Sequence, residues 1–372
     1  SQDGSIRAAL TAQKKPAAPP PTTTKRFEDF NLSFISDGQN NPELVYFILK
    51  YFIRTGLHWF CRHIVVNDKA ILHFRGPFLL ACNHPNSFLD AVILDTIFDE
   101  PIHSLARGDV FINPLVNKIL KTFKILPVFR PTEGVENLNE NYKTFDSCLE
   151  IFRKGGNELI FSEGLCINEW HLRPLRKGTA RLAVKTWEQD IPLRVIPVGI
   201  NYSSFDKVGK NVFINFGQPI EKKDLALTGS DGYRHQQFNE LLKQRLQSLV
   251  WEIAPNDAEA LQRFLVSPSW FEKGWLALPA VLGKWLHAPL YIPLYKLVHG
   301  FFENTGHKDS VLMALLIIVY PVYVAVISSC VAMLSHSAWG WLTFVALPFF
   351  AWSYVQMKNP LDQPRKASLR GK

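Results

Sequence analysis

The sequence predicts an α/β domain, in which a mixed sheet is covered by helices, joined to membrane-associated helices. Two observations predict this fold class. Between residues 67 and 265, short apolar runs alternate with helix-period segments. Towards the C-terminus, two long segments contain no charged residue. We interpret the apolar runs 78–82, 159–162, 195–202 and 212–216 as strands of the sheet.

Two segments of the predicted domain have the period of amphipathic helices. One of them ends at Gly155-Gly156, and the other occupies residues 238–253. Glycine commonly follows the last turn of a helix, which supports the first boundary. Because strands and helices alternate along the chain, we treat residues 67–265 as one domain whose sheet lies between helices.

The N-terminal part of the chain divides at residue 41. Residues 1–41 are rich in proline and threonine and have little periodic apolar content, which predicts a disordered lead. Residues 42–66 are strongly apolar but contain Lys50 and Arg54. Two central charges argue against a spanning helix, so we expect an amphipathic helix at the membrane interface. A buried helix of the main domain is the alternative.

The C-terminal third predicts a transmembrane hairpin over residues 311–357. Its two uncharged segments are Val311–Leu334 and Ala338–Val355. Each is long enough for the bilayer core, which requires ~17–25 residues. Only Ser335-His336-Ser337 joins them, so the connection must be tight. A buried pair of helices in a soluble domain is the alternative.

The hairpin is flanked by segments that suit a membrane surface. Residues 266–310 mix tryptophan and tyrosine with lysine, which predicts a membrane-interface segment. Residues 358–372 form a basic tail. The positive-inside tendency places this tail, and the α/β domain before the hairpin, on the cytoplasmic face of a bacterial inner membrane or its equivalent.

Composition excludes several classes of site and partner. The chain has 41 basic and 33 acidic residues, a net charge of +8. The basic residues cluster beside apolar membrane segments, so we expect an anionic membrane as partner and no nucleic acid. The five cysteines are odd in number and include no C-x-x-C pair, which argues against a disulfide framework and a cysteine zinc site.

The residues that suit catalysis follow the first predicted strand. The run FLLACNHPNSFLD places His84 just after the strand and Asp90 six positions later. A histidine beside a carboxylate is the pair that a general base requires, because the carboxylate fixes the tautomer and stabilises the imidazolium. However, Ser87 and Asp90 also have the spacing of a capping box, which would leave Asp90 a purely structural role.

Other residues in the sequence offer similar chemistry. His63 and Asp68 are five positions apart, within a run that has no preceding asparagine. We treat that pair as a coincidence of spacing. Cys82 lies near His84 and suggests a cysteine nucleophile, but cysteines that end apolar runs are usually buried and inert.

The run Asn83-His84 with Asp90 resembles the first motif of the glycerolipid acyltransferase family. That motif is an Asn-His followed by an Asp after a buried strand. Here five residues separate the histidine from the aspartate, one more than in the common form and as in some glycerol-3-phosphate acyltransferases.

Three further stretches resemble the family's later motifs, in the family's order. They are KILPVFR, which ends at Arg130; FSEG, which contains Glu163 and Gly164; and IPVG at 196–199. In the second of these, serine replaces the family's proline, and Leu165-Cys166 replace its Thr-Arg. The family's arginine is therefore missing at that turn, and Arg176 and Lys177 lie shortly downstream.

The resemblance implies transfer of a fatty acyl group from acyl-CoA or acyl carrier protein to glycerol-3-phosphate or 1-acylglycerol-3-phosphate. It implies that His84 deprotonates the acceptor hydroxyl while Asp90 orients the histidine. It also implies that Arg130, Glu163, Gly164, Arg176 and Lys177 hold the acceptor's phosphate. No metal or resident cofactor is implied, and the expected partners are membrane phospholipids and the two substrates. The alternative is a catalytically inactive, membrane-tethered lipid-binding protein on the same fold.

Overall fold

A computed structural model describes residues 42–128, 138–226, 228–254, 257–262, 268–302 and 305–358. The predictions for residues 1–41, for Arg130 and for the tail beyond Lys358 lie outside these ranges. The helices are α1 (Pro42–Phe60), α2 (Phe88–Ile97), α3 (Pro114–Thr122), α4 (Leu138–Arg153), α5 (Lys177–Glu188), α6 (Asp231–Gln247), α7 (Ala258–Gln262), α8 (Trp270–Phe302), α9 (Lys308–Leu334) and α10 (Thr343–Met357). The strands are β1 (Cys61–Val66), β2 (Phe78–Cys82), β3 (Ile102–Arg107), β4 (Ile125–Val128), β5 (Asn157–Phe161), β6 (Arg194–Tyr202) and β7 (Lys210–Phe216).

The seven strands form one mixed sheet in the order β1-β7-β6-β2-β5-β3-β4. Five adjacent strands, from β6 to β4 in this order, run parallel to one another. Strand β7 is antiparallel to β6, and β1 is parallel to β7. The prediction of a mixed sheet covered by helices is confirmed. The carboxyl ends of the parallel strands share one edge, which is where α/β sheets bind ligands.

Strand β2 lies in the middle of this sheet and is fully buried. Phe78, Leu80 and Cys82 belong to the core on one face, whereas Leu79 and Ala81 belong to the core on the other. A strand covered on both faces needs apolar side chains in both directions, which explains the continuous run FLLAC. The backbone that carries the predicted site is therefore rigidly held.

Two helix boundaries differ from the sequence prediction. Helix α1 ends at Phe60, so residues 61–66 of the predicted helix form β1 instead. These residues include Ile64, Val65 and Val66, which favour strands, and they pair with β7. Helix α6 ends at Gln247 rather than at 253, because the side-chain amides of Asn201 and Asn215 donate to the Leu249 carbonyl, each at 2.9 Å.

Helix α1 presents two kinds of surface. Ile48, Tyr51 and Phe52 are exposed, as an interfacial helix requires. Lys50 does not reach outwards, however: it is buried, lies 3.8 Å from Asp95 and donates to the Glu100 carbonyl. These contacts join α1 to α2 and to the backbone at Glu100. The interfacial position of α1 stays a prediction.

The described part of the C-terminal region contains three α-helices from Trp270 onwards. Residues 270–302, predicted as part of an interfacial segment, form the single helix α8 in spite of three internal prolines. Helix α9 and the segment Ala338–Met357 are long and apolar enough to cross a membrane, by length and composition. They fit the predicted hairpin. Helices α8 and α10 approach closely at Gly283, where a Cβ atom would lie 2.0 Å from the Phe350 carbonyl oxygen.

Candidate active site

The loop after β2 is held in place by hydrogen bonds to its neighbours. The Asn83 side chain donates to the Ile200 carbonyl at 3.0 Å and accepts from the Ile200 N–H at 2.7 Å, which fixes the end of β2 against β6. Ser87 has a φ angle of 54°, in the left-handed region that non-glycine residues seldom adopt. This bend turns the chain into α2, so that Asp90 in the first turn faces back towards His84.

The structure brings His84 and Asp90 together. The His84 Nδ1–H donates to Asp90 Oδ2 at 2.9 Å, because a carboxylate can only accept. This bond leaves Nε2 as the ring nitrogen that can take a proton. The imidazole stacks on Phe161 of β5, with ring centroids 3.7 Å apart, and its side chain is 17% exposed. The ring is therefore oriented by two contacts and still reaches the surface.

Asp90 is completely buried and accepts three hydrogen bonds. Besides His84, the Asn86 N–H donates to Oδ2 at 2.8 Å, and the Tyr202 hydroxyl donates to Oδ1 at 2.7 Å. Burial, and then the charge of Asp90, raise the pKa of Tyr202, so this phenol stays protonated and donates. These three donors fix the orientation of the Asp90 carboxylate, which in turn orients the imidazole of His84.

The capping-box alternative for Asp90 is not supported. Ser87 precedes α2 as its N-cap, but its side chain makes no capping hydrogen bond. Instead, the Ser87 hydroxyl is hydrogen bonded to His307 Nδ1 at 2.6 Å. Asp90 lies in the first helical turn, but its oxygens are directed at the histidine, the loop and Tyr202.

Glu163 lies at the end of β5, beside β2, and both of its oxygens are used. Oε2 accepts from the His84 N–H and Oε1 accepts from the Arg173 N–H, each at 2.9 Å. Burial raises the pKa of the Glu163 carboxyl, while these two backbone bonds oppose the shift. A phosphate-binding role suits this side chain poorly, because it is acidic and both of its oxygens already accept hydrogen bonds. The geometry makes Glu163 a positioning residue for the backbone of His84.

The remaining predicted binding residues lie at the same edge of the sheet. Gly164 has a φ angle of 65°, and a Cβ atom there would lie 3.0 Å from the Arg176 side chain. Arg176 and Lys177 are exposed at the start of α5, where basic side chains can meet an anion. Strand β4 ends at Val128, two residues before Arg130 and three strands from β2, or ~14 Å at ~4.8 Å per strand.

The residues of the two competing assignments do not suit those roles. Asp68 accepts from the Ala70 N–H as the cap of a short 3-10 helix, and His63 lies on β1. Cys82 is buried and its pKa is raised well above the usual range, first by burial and then by Asp90, so it is not a thiolate nucleophile.

A set of buried polar residues, which no sequence motif indicates, holds the loop that carries His84. The buried Lys210 and Asp309 form an ion pair, and Asp309 Oδ2 also accepts from Asn86 Nδ2 at 2.6 Å. Ser310 donates to the Asn86 carbonyl at 2.8 Å and accepts from the Leu89 N–H at 3.1 Å. Because Asp309 and Ser310 belong to the first turn of α9, the C-terminal helices are joined directly to the loop that carries His84.

The sequence pattern also gave no indication of Arg107 as a basic residue near the site. Arg107 ends β3, beside β5, and its charge contributes to lowering the pKa of His307, after burial and the charge of His84. His307 in turn is bonded to Ser87. The positions of β3 and α9 relative to β2 depend on the fold, and no local motif in the sequence indicates them.

Part of the chain is similar in sequence to known acyltransferases. Residues 63–201 match the family model described as acyltransferase. A chloroplastic 1-acyl-sn-glycerol-3-phosphate acyltransferase of Brassica napus is 22% identical over 156 residues. This match covers 41% of the present chain and 43% of that relative.

Among solved structures, the 1-acyl-sn-glycerophosphate acyltransferase PlsC from Thermotoga maritima is similar with a TM-score of 0.44 and 16% identity. The similarity covers 66% of the present chain and 90% of that one. The matched family segment contains β2, His84, Asp90 and the end of β5. Residues 63–201 are thus similar to the domain that the acyltransferase family model describes.

Proposed function

We propose that the chain transfers a fatty acyl group from acyl-CoA or acyl carrier protein to a hydroxyl of glycerol-3-phosphate or 1-acylglycerol-3-phosphate. The observation that carries this proposal is the 2.9 Å hydrogen bond between His84 and Asp90, inside the segment that matches the acyltransferase family. The Brassica napus relative is named for transfer to 1-acylglycerol-3-phosphate.

In the proposed reaction, His84 Nε2 removes the proton of the acceptor hydroxyl as its oxygen attacks the thioester carbonyl carbon. A new C–O bond forms, and the carbonyl π electrons move to oxygen, giving a tetrahedral oxyanion. The oxyanion then collapses and breaks the C–S bond, and the leaving thiolate takes the proton from the imidazolium. Asp90 stays ionised throughout and stabilises the imidazolium between the two proton transfers.

The acceptor's phosphate needs cations at the same edge of the sheet. Arg176 and Lys177 start α5 on one side of the His84 loop, and Arg107 ends β3 on the same edge. Guanidinium groups bind a phosphate monoester through two parallel hydrogen bonds. We assign phosphate binding to these three residues together with Arg130. The family resemblance implies this role for Arg130, Arg176 and Lys177, and the position of β3 adds Arg107.

A membrane location suits this chemistry. The acylated product stays in a bilayer, so an enzyme attached to the surface has no need to extract it. The net charge of +8 favours an anionic surface, and two candidate spans are present. We propose that these spans anchor the chain with its catalytic domain on the cytoplasmic face.

The choice of acceptor is tested by a side-by-side assay. The purified full chain in phospholipid vesicles receives acyl-CoA with either glycerol-3-phosphate or 1-acylglycerol-3-phosphate, and acylated product is quantified. We expect acylation of at least one of the two acceptors. A folded chain that acylates neither of them with acyl-CoA or with acyl carrier protein contradicts the proposal and favours an inactive lipid-binding protein.

Asp90→Asn separates catalysis from packing. The amide keeps the shape of the carboxylate but loses its charge, so it no longer stabilises the imidazolium. We expect the acylation rate to fall about 10³- to 10⁴-fold. One of the three donors to Asp90 also loses its acceptor, so the free energy of unfolding should decrease by about 1–3 kcal/mol. The acylation rate measures the effect on catalysis, and urea unfolding measures the effect on stability. Full activity in this variant would show that Asp90 has no part in the mechanism.

The orientation is tested by cysteine labelling after the native cysteines are replaced. Ser335→Cys lies between the two candidate spans, and Thr228→Cys lies on an exposed loop of the domain. In right-side-out vesicles, an impermeant maleimide should label the first variant and reach the second only after the vesicles are opened. Labelling of Thr228→Cys in sealed vesicles contradicts a cytoplasmic domain.

A further inference from the structure

A cavity of about 350 Å³ lies among helices α1, α8, α9 and α10, outside the candidate active site. Its walls are mostly aliphatic and aromatic side chains. Representative members are Phe52, Trp59, Leu290, Leu316, Ile317 and Ala351. This volume falls within the range of natural ligand pockets. Apolar cavities of this kind are poorly suited to water, which needs several polar partners.

One end of this cavity carries a positive charge. Lys284 and Lys358 both line the cavity. The ammonium group of Lys358 lies 5.4 Å from the ring centroid of Tyr291 and 5.7 Å from that of Tyr354. Within the described ranges, no carboxylate lies within ion-pair distance of Lys358. Burial lowers the pKa of Lys358 to about 8, and the nearby charges of Lys207 and Lys210 contribute to the shift. Partial burial among other cations is costly for an ammonium group unless an anion is bound.

The helices around the cavity favour one class of occupant. Helix α9 is one candidate membrane span, and α10 belongs to the other, Ala338–Met357. Helix α1 exposes apolar side chains such as Ile48. A cavity bordered by such helices is reached from the hydrocarbon layer. The ligand must combine an apolar chain with an anionic group at the end near Lys358. An anionic phospholipid has this combination.

The cavity is separate from the His84 site. Phe60 lines it, and Lys210 Nζ lies 5.2 Å from the centroid of the Phe60 ring. Lys210 pairs with Asp309, which binds Asn86 of the catalytic loop. The buried ion pair therefore lies between the cavity wall and the loop, so the cavity is not the place where the thioester meets His84.

We propose that this cavity binds an acyl chain of an anionic membrane phospholipid, with the lipid phosphate paired to Lys358. Met313 lines the cavity one helical turn after Asp309, on the same face of α9. A bound lipid thus packs against the helix whose first turn holds the catalytic loop. The proposal concerns binding and does not depend on the acyl-transfer reaction.

The test uses the full chain in phosphatidylcholine nanodiscs that contain a small fraction of phosphatidylglycerol with a diazirine in one acyl chain. After irradiation, crosslinked peptides are mapped by mass spectrometry. We expect labelling of the cavity-lining parts of α8, α9 and α10. Lys358→Gln should reduce this labelling about tenfold, as expected when a charge-assisted hydrogen bond is lost. The matched variant Lys296→Gln, an exposed lysine of α8 that does not line the cavity, should leave it unchanged.

A second pair of variants tests the cavity itself. Ala351→Phe fills the space between the helices, whereas Ala325→Phe places the same ring on an exposed face of α9. Only the first should abolish labelling of the cavity. Circular dichroism verifies that each variant is folded. The same photoreactive group is also tested on phosphatidylcholine, which has no net charge. The proposal is overturned if this lipid labels the cavity as strongly as phosphatidylglycerol and Lys358→Gln does not reduce the labelling. It is also overturned if labelling is confined to the outer surfaces of the helices.

Discussion

Replacing His84 by alanine is expected to lower the rate of acyl transfer about 10³-fold or more, because the hydroxyl loses its general base. The histidine lies at the end of β2 and contributes little packing beyond its stacking on Phe161. The variant should therefore fold normally, and the amount of it found in the membrane should change little. Product formation by vesicles containing each protein, together with circular dichroism, measures both effects.

The matched control is His63→Ala. His63 is a partly buried histidine on β1, and the Asp68 side chain five residues later caps a 3-10 helix. This variant should retain most of the activity. If His63→Ala were inactive and His84→Ala active, the assignment of the base would be wrong.

The second large effect concerns the ion pair behind the catalytic loop. Asp309→Asn leaves the ammonium of Lys210 buried without an anion, which costs about 3–5 kcal/mol of stability. Loss of activity in that variant alone would not distinguish misfolding from misplacement of the loop. Replacing both partners, Lys210→Met with Asp309→Leu, should restore most of this free energy of unfolding, because the pocket then holds two apolar side chains. About 1–3 kcal/mol should stay lost, because the buried Asn86 amide then has no acceptor.

The double variant should nevertheless remain slow. With leucine at position 309, Asn86 Nδ2 lacks its acceptor, and the Asn86 N–H is one of the three donors to Asp90. Displacement of a catalytic group by about 1 Å costs about 10²-fold in rate. We expect kcat to fall by about this factor with little change in the KM for the acceptor. The exposed pair Lys185–Asp146, replaced in the same way, should have no effect on either constant. Full activity of the stable Lys210→Met/Asp309→Leu protein contradicts a positioning role.

The sequence predicted the parts of the site that follow from local pattern. The run FLLAC is apolar at every position because β2 is buried on both faces, and the sharp turn after it brings Asp90 back to His84. In contrast, β1 was interpreted as part of a helix. Its residues continue an apolar segment, and pairing with β7, about 150 positions later, decides its conformation.

The contacts between α9 and the loop that carries His84 could not be predicted from local sequence pattern. Asn86 and Asp309 are 223 positions apart, and neither belongs to a local motif that indicates the other. Glu163 illustrates a different limit. Its position at the end of a strand was identified, but its backbone partners depend on the path of the chain between residues 163 and 173.

The most direct test of the account is the balance of products formed by the purified full chain in phospholipid vesicles. With acyl-CoA and the preferred acceptor, free CoA and acylated glycerol phosphate should appear in equal amounts, and His84→Ala should abolish both. Without acceptor, no stoichiometric burst of CoA should appear, because the hydroxyl attacks the thioester directly. A CoA burst without acceptor, or full acylation by His84→Ala, would contradict the proposed mechanism.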